Sequence, residues 1–167
     1  MIRPCSPADF DEIFAIVNDA AIAYRGIIAA DRWKEPYMPA EELRHEMDAG
    51  VVFWGSYEHD RLVAVMGLQN VKDVALIRHA YTRTANRGGG LGGALLAHLH
   101  GRADRPLLIG TWKAATWAIA FYQRRGFSLI DPPQKDVLLK RYWTIPDRQI
   151  EDSVVLADTR WFVERGA

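Results

Sequence analysis

Five of the six residues from Gly88 to Gly93 are glycine, with only Leu91 interrupting the run. Each interior helical glycine costs up to about 1 kcal/mol relative to alanine. The run is followed at once by an apolar stretch with helical character, Leu91 to about Ala103. Before it stands a strand candidate, Val74–Thr82, and after the helix a short buried strand, Pro106–Thr111. Such a strand–helix–strand unit is normally parallel with a right-handed crossover. Glycine at the mouth of its helix lets backbone N–H groups approach an anion, and the helix start adds partial positive charge. Hydrogen bonds to a charged partner contribute about 1.5–3 kcal/mol each, against roughly 0.3–1 kcal/mol from the dipole. The amides therefore outweigh the dipole, and the pattern reads as a phosphate cradle. A flexible turn that binds nothing is the plain alternative. Gly88-x-Gly90-x-x-Gly93 also fits the dinucleotide fingerprint literally. That fingerprint expects an acidic residue about 20 positions on, at the end of the next strand. This strand ends near Thr111, where there is none.

The rest of the chain places the unit in a mixed α/β domain. Ser6, Pro7 and Asp9 form a helix entrance, and Ile13, Ile16, Val17, Ala20, Ala21 and Tyr24 follow helical spacing until Gly26. Residues 27–39 are irregular and aromatic. A second helix is predicted from about Pro39 to Ala49, with Leu43 and Met47 inward. Val51–Tyr57 and Leu62–Leu68 read as strands, joined by a hairpin at Glu58-His59-Asp60-Arg61. Further on, Thr116–Arg125 and Pro133–Trp143 read as helices and Ser153–Ala157 as a closing strand.

With 167 residues, a single domain spanning 1–167 is expected. The 21 basic and 21 acidic residues cancel, which argues against a nucleic-acid partner. The longest apolar run, Trp117 to Tyr122, has six residues. A membrane span needs about 20, so no membrane partner is expected. The first residues lack a signal-peptide segment, which makes the cytoplasm the default compartment. Cys5 is the single cysteine. His98 and His100 point to different faces of their helix, and His45-Glu46 is not followed by a second histidine, so no metal site is expected. Trp143, Trp161 and Phe162 suggest surface to cover, as in a homodimer, or aromatics spent within the one fold.

Two segments together carry a resemblance. Arg87-Gly88-Gly89-Gly90-Leu91-Gly92 resembles the R/Q-x-x-G-x-G/A signature of the GNAT acetyltransferase superfamily. Ala118-Ile119-Ala120-Phe121-Tyr122-Gln123-Arg124-Arg125-Gly126-Phe127 resembles its second signature, A-I-x-F/L-Y-x-x-x-G-F. They stand in the family's order, separated by a helix and a strand, and cover about residues 74–130. The resemblance implies a central, mostly antiparallel sheet with one parallel strand pair, flanked by helices. It also implies acetyl-CoA as co-substrate and transfer of its acetyl group to a primary amine of a small molecule or peptide.

Residue by residue, the resemblance places the pantetheine arm along the backbone of Ala80, Tyr81 and Thr82. The pyrophosphate falls on Gly88, Gly89, Gly90, Leu91, Gly92 and Gly93, with Arg87 in reach of a phosphate. Tyr122 matches the tyrosine near the sulfur. A phenol of pKa near 10 can donate to a thiolate whose thiol has pKa near 8.5. His79 is the histidine nearest the expected chemistry, and its neutral form suits a general base. Strand alternation puts it on the face opposite Ala80; Glu35, Glu42 and His45 are weaker candidates. The loop between the first two helices frames the acceptor in this family, and here offers Tyr24, Arg25 and Trp33. One position departs: Ala115 stands where the family often has asparagine. That departure, with no obvious base, keeps a non-catalytic acyl-CoA-binding module of the same fold as the alternative.

Overall fold

The computed structural model describes residues 1–166. They divide into two compact units, one of Met1–Gln69 with Ile77–Arg102, the other of Asn70–Leu76 with the chain from Ala103 onward.

In the first unit Ser6 opens a 3-10 turn, Pro7–Asp9. Its backbone N–H and its hydroxyl both donate to Asp9 Oδ2, at 2.7 and 2.9 Å, which satisfies donors that a helix start leaves free. The turn runs into α1 (Phe10–Ala21), whose buried stripe is Ile13, Ile16, Val17, Ala20 and Ala21. After a 3-10 turn at Ile22–Tyr24 the chain is mostly irregular to Pro39. Asn18 ties that segment back. Its amide donates to the Met38 carbonyl at 3.0 Å and accepts from the Met38 N–H at 2.8 Å. Next comes α2 (Ala40–Asp48), with Leu43 buried.

Three antiparallel strands carry the rest of this unit's sheet: β1 (Ile2–Pro4), β2 (Val52–Glu58) and β3 (Arg61–Val71). The β2–β3 hairpin turns on His59 and Asp60, both at positive φ (49° and 62°). That conformation matches the twist of the strands it joins. One face of the sheet closes over a core of Ile13, Ile16, Leu43, Phe53, Leu62 and Val65.

A two-residue link, Lys72 and Asp73, leads to β4 (Val74–Thr82). Its residues 77–82 belong to the first unit, which ends with α3 (Leu91–Arg102). Its residues 74–76 belong to the second, where the Ala75 N–H donates to the Pro106 carbonyl at 2.9 Å. There β4 runs parallel to β5 (Leu107–Trp112). Then come α4 (Thr116–Gln123), β6 (Ser128–Leu129), α5 (Pro132–Tyr142), α6 (Asp147–Glu151), β7 (Ser153–Ala157) and α7 (Thr159–Glu164). β7 lies antiparallel to both β5 and β6. The strand order is β1-β2-β3-β4 in the first unit and β4-β5-β7-β6 in the second. Among the described residues β4–β5 is the one parallel pair, so the fold is mixed α/β with helices flanking the strands.

The second core comprises Val74, Leu76, Leu108, Leu138, Leu139, Tyr142, Val155 and Trp161, with Trp143 and Phe162 packed against it. The tail aromatics pack within this unit, Trp161 buried and Trp143 and Phe162 half-buried. Among the described residues no helix is long and apolar enough to cross a membrane.

Candidate functional site

Five residues, 83–87, link the end of β4 to the glycine run, and this link is tied to α1 at three points. Arg83 pairs with Glu12 at 3.0 Å and donates through Nε to the Leu62 carbonyl at 2.8 Å. The Thr84 N–H donates to Asp19 Oδ2 at 2.7 Å. Arg87 donates to the Ala20 carbonyl at 3.2 Å, so its guanidinium holds the end of α1.

Beyond Arg87 the backbone is open. Gly88 and Gly90 take positive φ, 84° and 76°, which disfavours any residue with a Cβ. A Cβ built on either meets no atom within 4 Å, and one on Gly89 meets only the Asn86 carbonyl oxygen at 3.7 Å. Backbone conformation therefore explains two of these glycines, while nothing in the protein explains Gly89. The first helical hydrogen bond of α3 runs from the Ala94 N–H to the Gly90 carbonyl at 3.0 Å. The amides of Leu91, Gly92 and Gly93 stand ahead of it as helix-start donors.

Upstream, Ala80, Tyr81 and Thr82 form the half-buried end of β4. Tyr81 joins a row of rings drawn from three segments. Trp33 stacks on Tyr37 at 5.7 Å, Tyr37 meets Tyr24 at 5.7 Å, and Tyr24 meets Tyr81 edge-on at 6.3 Å. The row continues from Tyr81 to His79 at 6.4 Å and from His79 to Phe53 at 5.9 Å. Two of the three acceptor-loop residues, Tyr24 and Trp33, thus lie in one row with β4. Arg25 sits at its exposed rim, 3.9 Å from Glu35, which also accepts from the Trp33 indole N–H at 2.9 Å. Glu42 is taken by Lys34 at 2.6 Å, and His45 is exposed.

His79 holds a left-handed φ of 53° in mid-strand. Consecutive strand residues point to opposite faces, yet Arg78 and His79 both reach Glu46 on α2. Arg78 Nη2 lies 3.3 Å from Glu46 Oε1, and His79 Nε2 pairs with Glu46 Oε2. The irregular φ breaks the alternation, which corrects the expectation of a regular strand at this point. Burial raises the Glu46 carboxyl, but the hydrogen bond and charge of His79, then Arg78 and His45, outweigh it and hold it below the ordinary range. Sequence reasoning missed Glu46. Its partners lie over 30 residues away in sequence, and only its seat on the inner side of α2 near Leu43 and Met47 hinted at it.

In the second unit Tyr122 is buried at 7% exposure on α4. Its ring sits edge-on to Phe121 at 5.1 Å and to Phe127 at 6.2 Å. Ala115, fully buried at the entrance of α4, offers no side-chain oxygen as a cap. Among the described residues no three His, Cys, Asp or Glu side chains gather as a metal site requires.

A family model described as "Acetyltransferase (GNAT) domain" matches residues 18–139. No curated protein matches the chain by sequence. Solved structures resemble it closely in fold. The PaiA N-acetyltransferase of Thermoplasma acidophilum, in complex with coenzyme A, is 16% identical with a TM-score of 0.69, over 95% of this chain and 97% of that one. An acetyltransferase of Streptococcus agalactiae is 19% identical with a TM-score of 0.69, over 95% and 96%. A ribosomal-protein-alanine N-acetyltransferase of Brucella melitensis is 23% identical with a TM-score of 0.61, over 78% and 86%.

Proposed function

Because this chain belongs to the GNAT acetyltransferase family, we propose that it moves the acetyl group of acetyl-CoA directly onto a primary amine of a small molecule or peptide. The observation that carries the reading is the glycine mouth of α3. Its helix-start amides precede the first helical hydrogen bond, and Gly89 has neither a positive φ nor a crowding neighbour to explain it. A diphosphate laid on these amides accounts for the whole run, including the glycine that the protein alone does not require. A fold neighbour solved with coenzyme A supports the choice of anion.

In the proposed reaction Gly88 to Gly93 hold the pyrophosphate, and the Ala80–Thr82 backbone holds the pantetheine arm. The acceptor enters along Tyr24, Arg25 and Trp33. An alkylammonium is mostly protonated at neutral pH, so a base must first remove a proton, a task that falls to His79. The amine lone pair then forms the C–N bond, the C–S bond breaks, and coenzyme A leaves as a thiolate. Tyr122 donates a hydrogen bond or a proton to that sulfur.

Incubation with acetyl-CoA and an amine panel, read by thiol release, tests the proposal. Release that depends on one amine class supports it. Ala115 favours a second reading, a non-catalytic acyl-CoA-binding module, since a side-chain contact common in the family is missing. Tight coenzyme A binding with no turnover on any amine selects that reading.

A further inference from the structure

His79 is held in a way that core packing does not explain. A left-handed φ strains a residue with a Cβ, and here it falls in the middle of β4. Its effect is to bring the imidazole to the Glu46 carboxylate on α2. Both side chains remain partly open, with 13% of His79 and 14% of Glu46 exposed. The ring also stands in the aromatic row that runs from the acceptor loop, stacked between Phe53 and Tyr81. Besides these, the charged or titratable groups about the pair are His45 on α2 and Arg78 on β4. Gln69 on β3 accepts from Arg78 at 3.1 Å, which fixes that guanidinium from the other side.

We propose that Glu46 is a positioning residue for His79, fixing the imidazole as the Nε2–H tautomer and leaving Nδ1 as the atom that takes the acceptor's proton. An ionised carboxylate only accepts hydrogen bonds. The ring nitrogen facing it must then carry hydrogen, and the lone pair falls to the other nitrogen. In the step this serves, Nδ1 receives one proton from the acceptor ammonium. The freed lone pair attacks the thioester carbon, the C–S bond breaks, the surplus proton on nitrogen passes to the departing thiolate, and the imidazolium returns its own proton to solvent. The proposal rests on the transferase reading for its chemistry, while the orientation of His79 stands apart from it.

Two measurements test it on the full chain. The first is thiol release against pH for the wild type, Glu46→Gln, His79→Gln and the double variant. His79→Gln should lower kcat by about 100-fold, as loss of a general base does. Glu46→Gln should lower kcat by about tenfold and leave the KM for acetyl-CoA unchanged. The double variant should be no slower than His79→Gln alone, since the two act as a unit. A Glu46→Gln kcat within about twofold of wild type, or a double variant showing the product of both losses, overturns the proposal. Glu46→Asp keeps a carboxylate acceptor and should lower kcat less than Glu46→Gln does; it serves, with the ring signal below, if the glutamine variant does not fold. The second measurement is nitrogen NMR of the His79 ring, which needs no turnover. The wild type should show the Nε2–H form, and Glu46→Gln a mixture of both forms. An unchanged ring signal overturns the positioning role even if the enzyme is active. Absence of turnover with any amine overturns the transferase reading instead.

Discussion

A methyl group added at Gly90 meets no atom within 4 Å and one at Gly89 meets only the Asn86 carbonyl oxygen at 3.7 Å, but the two backbones differ. Gly90 has a φ of 76°, so Gly90→Ala should lose about 1–2 kcal/mol of stability from the left-handed conformation. Gly89 has ordinary φ and room for the methyl. Gly89→Ala should therefore keep its melting temperature while binding coenzyme A more weakly, as calorimetric titration will show. Equal affinities for the alanine variant and the wild type would remove the diphosphate from this loop. Tyr122→Phe deletes one oxygen and keeps the ring contacts with Phe121 and Phe127. It should slow thiol release by about tenfold or more if the hydroxyl assists the leaving sulfur, with coenzyme A affinity unchanged. The glycine mouth of α3 and the seat of Tyr122 on α4 were legible because local patterns carry them. Glu46 was not, because a contact between α2 and β4 leaves no mark in either segment's own pattern.

Gly67 shows what one element imposes on its neighbour. A Cβ there would lie 2.8 Å from Val51 Cγ1 and 2.9 Å from the carbonyl oxygen of Arg78. The second contact is backbone of β4, one residue before His79, and cannot swing aside. Gly67→Ala should cost about 1–3 kcal/mol by overpacking, read as a lower urea midpoint. A midpoint equal to wild type would mean that β4 yields more easily than its position suggests. The bounds of β4 and β7 agree with their β-branched and aromatic runs, and α5 differs from its expected span by a single residue at each end. The short elements escaped notice. β1 has three residues and ends on a proline, and β6 has two, so neither is long enough to display an alternation. α7 was hidden by its own aromatics, since Trp161 and Phe162 resemble exposed hydrophobic surface until α5 and β7 are seen to cover them.

Among the described residues four carboxyl groups, Asp9, Glu46, Asp73 and the exposed Asp104 beside Arg105, bind protons less readily than they would in the unfolded chain. Tyr142 holds Asp73 low by hydrogen bonding, with Arg141 and Arg165 adding charge. At Asp9 burial opposes ionisation but the Ser6 hydrogen bonds prevail, and at Glu46 burial likewise gives way to His79. A depressed carboxyl contributes stability that is fully present above its unfolded pKa, about 3.9–4.3. That stability is lost as pH falls through the folded value. The urea midpoint should hold steady from neutrality to about pH 5 and drop below about pH 4. A midpoint unchanged to about pH 3 would show these pairs to be energetically idle.

Because β4 serves both units, the chain has no clean place to be cut. The second unit begins at Asn70, breaks off at Leu76 and resumes at Ala103. A fragment stopping at Arg102 keeps Val74 and Leu76 but loses Leu108, Leu139 and Val155, which enclose them. Its strand would present bare apolar side chains and unmatched amides to the solvent, an invitation to self-association. Anyone wishing to halve this protein for expression should splice or permute it rather than truncate it.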